Sequence, residues 1–285
     1  MAPPRGFVRL DRDGAELVLR VGLEEALLAA GVAFPERLVA SAGETGLRGR
    51  GALARLELPV GKAVLRLYRR GGLLGKFVRR LSLDPERARS ELALHARAIE
   101  RGASVAEPLA AITRRKGPGF AHALATREVE NARDLERILA EARGKERRRA
   151  LAAAGEAVRR LHDAGIDHVD LNVKNVLVAG GPGVRGAEPL AGGLGDLPQV
   201  RGVVIDLDRG RADLDETARR RNLVRLLRSA VKLSVRGGRL EPRDPFRFAR
   251  AYARADRELR RSIVTWGRSA LPWIRLRSFF WRVFA

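Results

Sequence analysis

The stretch LHDAGIDHVDLNVKNVLV, residues 161–178, closes a helix-like run and opens a strand-like one, with Asp170, Lys174 and Asn175 in the loop between them. Further along, VVIDLD at residues 203–208 reads as a second short apolar strand that carries Asp206 at its end. Transfer of a phosphoryl group to a hydroxyl needs a carboxylate to orient the attacking O–H, and hard oxygen ligands to hold magnesium against the phosphates of ATP. An Asp and an Asn five residues apart in one loop, with a second Asp at the end of a neighbouring strand, can meet both needs.

The flanks supply elements to hold that loop. Upstream, a helix is expected from Asp134 to about Arg143, and a second one presents Leu151, Ala154, Val158 and Leu161 on one stripe before Gly165 stops it. Downstream, Val176–Val178 and Val203–Leu207 are expected as two strands joined through GGPGVRGAEPLAGGLGDLP, a Gly/Pro-rich insertion without periodicity. The remainder is helical by pattern, Phe248, Tyr252, Ala255, Leu259, Ile263 and Trp266 following one another at three or four residues.

Residues 7–70 read as short alternating segments with glycine breaks, hence an antiparallel sheet. In KAVLRLYRR, Val64, Arg66 and Tyr68 share one face while Ala63, Leu65 and Leu67 share the other, the period of a half-buried strand. Asp84-Pro85 can start a helix in which Ala88, Leu92, Ala96 and Ile99 repeat and which Gly102 ends, with Glu91 beside the stripe. AEPLAAIT and AHALATREVE read as two further strands around a loop RRKGPGF, and the chain turns from sheet-rich to helix-rich near residue 130.

Composition bounds the function class. The chain has 285 residues, 45% of them apolar, enough for two lobes with substantial cores. It has no cysteine, which excludes disulfides, thiolate metal sites and cysteine nucleophiles. A formal net charge of +22 favours polyanionic partners such as phosphorylated ligands, nucleic acid or an anionic bilayer. No zinc-ligand spacing, aromatic recognition strand or recognition helix is found, so nucleic acid is not expected. The opening MAPPRGFVRLDRDG is unlike a secretory signal, and no run approaches the ~20 apolar residues of a spanning helix, so a cytoplasmic protein is expected.

HVDLNVKN resembles the catalytic loop H-x-D-x-x-x-x-N of protein kinases and their relatives, and VIDLD stands where that superfamily has its metal-binding D-F-G. The resemblance implies an α+β, two-lobed, protein-kinase-like fold: an N-lobe over residues 1–130 with an antiparallel sheet and one helix, and a mainly helical C-lobe over 131–285, with ATP and Mg2+ bound between the lobes. It makes Asp170 the hydroxyl-orienting residue, Asn175 and Asp206 the metal ligands and His168 structural. Lys174 would either contact the transferred phosphate or be solvated.

AVLR, residues 63–66, aligns with the kinase V-A-I-K strand and so places Arg66 where a nucleotide-binding lysine belongs, beside Val64. Arginine keeps the charge but not the ammonium geometry; Lys62 could replace it only with a shifted register. Glu91 matches the helix glutamate that orients that cation. Gly46, Gly49 and Gly51 lie where a phosphate-covering loop would be, though G-L-R-G-R-G is not the standard spacing. Adenine would lie along Thr126–Val129.

Three stretches narrow the resemblance: LRLYRRGGLLGK (Leu65–Lys76), HVDLNVKN and IDLDRGR (Ile205–Arg211) are similar to the lipopolysaccharide kinases, above all those acting on 3-deoxy-D-manno-octulosonic acid (Kdo). That branch implies transfer from ATP to a Kdo hydroxyl of a lipid A precursor at the cytoplasmic face of the inner membrane. Arg66, Arg69, Arg70, Arg209 and Arg211 could then meet phosphate and carboxylate, or be surface arginines of an arginine-rich chain. From Arg243 onward there are eleven Arg, three acidic residues and all three tryptophans, Trp266, Trp273 and Trp281. Such a tail suits peripheral contact with an anionic membrane, or packing on the C-lobe. Rival readings are a heptose or other small-molecule kinase, and a pseudokinase-like or nucleic-acid-binding protein. A protein substrate is disfavoured because residues after Asp206 pass almost directly into a helix.

Overall fold

A computed structural model describes residues 2–42, 52–68, 82–180, 200–235 and 239–283, with side chains as far as Ile274. The chain divides into two compact units, Met1–Ile99 with Ala106–Glu128, and Glu100–Val105 with Val129–Ala285.

The first unit is built on a six-stranded antiparallel sheet: β1 (Phe7–Arg12), β2 (Ala15–Arg20), β3 (Ala52–Leu58), β4 (Gly61–Leu67), β5 (Pro108–Lys116) and β6 (Gly119–Arg127), in the order β1-β2-β5-β6-β4-β3. The alternation in β4 is as the sequence implies: Ala63, Leu65 and Leu67 are buried among Leu17, Leu19, Leu56 and Ile112, while Val64 and Arg66 face the other side, half-buried. The register Arg66↔Leu124 and Ala63↔Arg127 leaves Lys62 at the exposed start of the strand, so no shift brings it into Arg66's place. On the Arg66 side lies α3 (Arg87–Glu100), whose Ala88, Leu92 and Ala96 pack with Tyr68, Ala111 and Leu124.

Two departures from the sequence reading fall in this unit. Residues 24–41, read as part of a sheet, form two short helices, α1 (Glu24–Ala29) and α2 (Pro35–Ser41), in addition to α3. The acidic first turn of α1 and the proline at the start of α2 are helix-start signals, and Leu27 and Val32 go into the sheet's core. The expected loop RRKGPGF is a tight hairpin: β5 runs to Lys116, pairs it with Gly119, and Gly117 takes the left-handed backbone (φ +55°) that the turn needs.

Among its described residues the second unit carries a small antiparallel sheet, β7 (Ala132–Asp134), β8 (Val176–Gly180) and β9 (Val200–Val204), and five helices: α4 (Leu135–Glu141), α5 (Gly144–Asp163), α6 (Glu216–Val235), α7 (Asp244–Ala253) and α8 (Arg257–Val283). Asp134 caps α4 by accepting from the Arg137 amide at 2.7 Å. Helix α5 crosses β9 so closely that a Cβ on Gly202 would stand 2.3 Å from the Ala153 carbonyl, and it meets α7 where a Cβ on Gly155 would stand 2.6 Å from the Phe248 carbonyl. At the buried end of α5, Arg147 donates to Asp244 (Nε–Oδ2 3.0 Å) and to the Leu139 carbonyl (2.8 Å).

The C-terminal stretch, helical by its spacing from Phe248 to Trp266, is divided between two helices, α7 and α8. The chain breaks at Arg254 (φ +51°), whose guanidinium reaches Glu156 at 2.7 Å and Asp163 at 3.4 Å on α5, and Asp256 caps α8 through the Leu259 amide (2.8 Å). Helix α8 packs on its own unit, with Ile263, Val264, Trp266 and Leu271 turned inward and Trp273 exposed. Among the described residues no helix is long and apolar enough to cross a membrane.

Candidate active site

Register places the second unit's polar residues. Val176 pairs with Val204, so Asn175 and Ile205–Asp206 leave the β8–β9 ribbon at the same end, and the Ile205 amide donates to the Asn175 carbonyl at 3.0 Å. The Asn175 side-chain amide donates to the Asp170 carbonyl at 3.0 Å. Because only its nitrogen can face a carbonyl, the amide oxygen is the end left for another partner. Asp206 holds a left-handed backbone (φ +65°), unusual for a non-glycine residue. The flanking chain fixes it: His168 Nε2 donates to the Ile205 carbonyl at 3.2 Å, and the Gly210 amide to the Leu207 carbonyl at 2.8 Å.

His168 is fully buried and serves the loop's shape. Its amide donates to Asn222 Oδ1 (2.9 Å), whose Nδ2 in turn donates to Asp167 (2.6 Å). Asn172 ties the turn by donating to the Asp170 carbonyl (2.9 Å) and accepting from the Lys174 amide (2.9 Å). Asp170 itself presents its carboxylate outward, 74% exposed. The Lys174 ammonium stands 2.9 Å from Glu136 on α4. Arg211 joins the loop through backbone bonds with Asp167 (2.8 and 3.0 Å), and Arg209, next to the turn, takes φ +60°.

The first unit presents a charged cluster around Glu91. Arg66 Nη2 lies 2.8 and 2.9 Å from the two Glu91 oxygens, and the Tyr68 hydroxyl donates to the same carboxylate. The Arg66 guanidinium also stacks on the Tyr68 ring (4.6 Å), with Arg87 on that ring as well (4.9 Å). His95 lies behind, its Nδ1 donating to the Ala106 carbonyl (2.9 Å) and its Nε2 3.7 Å from Glu91. Burial pushes the Glu91 pKa up, but the Arg66 charge, His95 and the Tyr68 hydroxyl outweigh it and hold the group at about 2. The Glu91 carboxylate is thus shared by the Arg66 guanidinium and the Tyr68 hydroxyl, with the guanidinium stacked on the Tyr68 ring.

Of the residues singled out from sequence, the second unit brings Asp170, Lys174, Asn175 and Asp206 onto one loop and one ribbon end, and the first brings Arg66 onto Glu91, with Val64 half-buried on the Arg66 face. Val129 follows β6 on an irregular segment. Gly46, Gly49, Gly51, Arg69 and Arg70 lie outside the described residues, as does the side chain of Trp281. The sequence reading put Tyr68 on the Arg66 face without giving it a role, and it did not single out Asp167, Asn222, Arg225 or Ser229. More than half of α6 is polar, so the spacing 221, 225 and 229 gave no distinct signal for the last of these.

Among the described residues no three His, Asp or Glu side chains group as a metal site by themselves. The Asn175 amide oxygen and the Asp206 carboxylate are the hard-oxygen kind of ligand that suits Mg2+, an ion that takes its remaining ligands from phosphate and water.

Sheet, α3 and loop together define a protein-kinase-like phosphotransferase. The lipopolysaccharide kinase (Kdo/WaaP) family matches residues 40–252, most of the chain, which therefore belongs to that family. A 3-deoxy-D-manno-octulosonic acid kinase of Stenotrophomonas maltophilia (strain K279a) is 34% identical over 248 residues, 84% of this chain and 89% of that one. Another of that name from Xanthomonas axonopodis pv. citri (strain 306) is 37% identical over 213 residues, 72% and 76% of the two chains. In fold the chain is similar to a solved structure of WaaP in complex with acyl carrier protein, at TM-score 0.53 and 22% identity, covering 94% of this chain and 99% of that one.

Proposed function

We propose that this chain transfers the γ-phosphate of ATP to a hydroxyl of Kdo on a lipid A precursor, working at the cytoplasmic face of the inner membrane. The observation that carries the reading is the exposed Asp170 carboxylate on a loop whose Asn175 shares a ribbon end with Asp206. In this reading Asp170 orients the acceptor hydroxyl and takes its proton as that oxygen bonds to the γ-phosphorus; the β–γ bridging bond breaks, and ADP leaves with the electron pair. Asn175 Oδ1 and Asp206 would hold Mg2+, which offsets the phosphates' charge. Arg66, kept in place by Glu91 and Tyr68, would meet the nucleotide phosphates, and Val64 and Val129 would contact adenine. Lys174 reaches the transferred phosphate by leaving Glu136, an exposed pair that costs little to break.

The substrate is read from the curated relatives' names together with the three resembling stretches. Purified protein with radiolabelled ATP, Mg2+ and a Kdo-bearing lipid A precursor is expected to label the lipid, and Asp170→Ala to abolish labelling. Labelling of a heptosylated lipid or an aminoglycoside instead would overturn the assignment to Kdo.

The helical unit also has room for lipid. A cavity of about 330 Å³ is walled by Leu139, Leu223, Leu227, Phe248, Ile263 and Trp266, among other apolar side chains. We propose that it takes a fatty acyl chain, from the acceptor glycolipid or from an acyl carrier protein such as accompanies WaaP. Copurification of an acylated carrier that is lost in Leu227→Trp would identify the carrier as source. Faster turnover of acylated than deacylated acceptor would identify the glycolipid, and neither result would remove the acyl chain from the reading.

A further inference from the structure

Helix α6 lies along the loop that carries Asp170, and nearly every polar group on that face is engaged with it. Arg221 donates to Asp167 (2.8 Å), Asn222 bridges Asp167 and the His168 amide, and the Ser229 hydroxyl accepts from the Val173 amide at 3.3 Å. Residues 221, 225 and 229, four apart, share one face of the helix. Arg225, the middle one, behaves differently. Its Nη1 stops 3.9 Å from Asp170 Oδ1, beyond hydrogen-bond range, and among the described residues it has no other ionic or hydrogen-bonded partner. Its side chain is about one-third exposed, next to the more exposed carboxylate.

A forked arginine–carboxylate pair, once formed, closes to ~2.8 Å. At 3.9 Å this pair is not closed into such a fork, which leaves a guanidinium with donors to spare beside the carboxylate assigned to the acceptor hydroxyl. We propose that Arg225 is a specificity-determining residue that binds an anionic substituent of the acceptor, the carboxylate of an acidic sugar, while Asp170 holds the hydroxyl. The proposal rests on the reading of Asp170 given above. An acceptor whose hydroxyl and carboxylate lie on one sugar ring can meet both side chains at once. A neutral sugar meets Asp170 alone, leaving a guanidinium unanswered. Arg225 thus selects an acidic over a neutral acceptor, a choice that the loop residues, shared by kinases of many substrates, do not make.

Initial rates with a Kdo-bearing lipid A precursor and with its counterpart in which the carboxylate is reduced to an alcohol test this, for the wild type, Arg225→Gln and Arg225→Lys. Arg225→Gln is expected to raise the acceptor KM for the acidic lipid by about ten- to a hundredfold, the worth of a charge-assisted hydrogen bond. The KM for ATP and the rate on the reduced lipid should hold, and Arg225→Lys should restore part of the loss. An equal loss on both acceptors, or none on either, overturns the proposal. Transfer to neither acceptor by the wild type would overturn the Kdo reading instead. Titration of free Kdo without ATP separates the two failures: binding weakened in Arg225→Gln supports the role of Arg225, and unchanged or absent binding removes it. A melting temperature equal to that of the wild type, expected because Arg221, Asn222 and Ser229 still hold α6, confirms that the variant is folded.

Discussion

The carboxylate of Glu91 is buried and would be costly there alone; Arg66, Tyr68 and His95 make its charge tolerable. Removing the cation should therefore hurt more than exchanging it. Arg66→Ala is expected to cost about 3–5 kcal/mol in urea unfolding, as for a buried ion left without its partner, and to abolish nucleotide use. Arg66→Lys keeps the charge but loses the fork and the stacking on Tyr68, so it should keep most of the stability and raise the KM for ATP; an unaltered KM would count against Arg66 as a phosphate ligand. The depressed pKa also sets an acid limit. A carboxyl held at about 2 against an ordinary 4.5 contributes stability that is fully present above pH ~4.5 and lost as pH falls toward 2, on the order of 3 kcal/mol at ~1.4 kcal/mol per pH unit. Glu91→Gln should flatten that part of the stability profile. Sequence placed Arg66 and Glu91 each on the correct face of its own element; that Tyr68 shares their carboxylate was not visible, because its aromatic ring reads equally well as plain strand core.

Elements in the helical unit are fitted to one another at two glycines. Gly202→Ala drives a methyl against the Ala153 carbonyl and Gly155→Ala drives one against the Phe248 carbonyl, both backbone atoms that cannot swing aside. Each is expected to destabilise by about 1–3 kcal/mol in thermal melts, and a neutral result at Gly202 would mean that β9 shifts readily on α5. The α5–α7 contact has an ionisable member as well, His162 Nδ1 sharing a 2.7 Å hydrogen bond with the Tyr252 hydroxyl. Burial, then the nearby Arg219 charge, pushes the His162 pKa down to about 3. The histidine stays neutral in the fold while the unfolded chain protonates near 6.5, so its contribution is complete above pH ~6.5 and lost as pH falls toward 3. Acid should thus weaken the protein in two stages, and His162→Gln should remove the earlier one. Element type was readable where periodicity ran unbroken, as in α3, α5 and β4. It failed at residues 24–41, where short helices give too few turns to show a period, and at Arg254, where contacts with Glu156 and Asp163 on another helix break what spacing alone continues.

At the scale of the whole molecule, a net charge of +22 and the exposed Trp273 on an arginine-rich α8 lead to one expectation about surfaces. The protein should sediment with vesicles rich in phosphatidylglycerol at low salt and release toward ~1 M salt, where screening shortens to ~3 Å. Trp273→Ala should weaken that binding; equal binding to neutral vesicles would set aside the membrane-face reading. The sequence by itself determined what depends on neighbours along the chain: the loop from His168 to Asn175, the Asp134 cap, the faces of β4 and the stripes of α3 and α5, since residues two, three or four apart share a face once the backbone is regular. It also carried, through the three quoted stretches, the family. Only the tertiary structure decided the sheet order β1-β2-β5-β6-β4-β3, the burial of Arg147 on Asp244 97 residues away, and the approach of Arg225 to Asp170. Those contacts join residues whose separation along the chain says nothing of their distance, and packing of whole elements, rather than local spacing, brings them together.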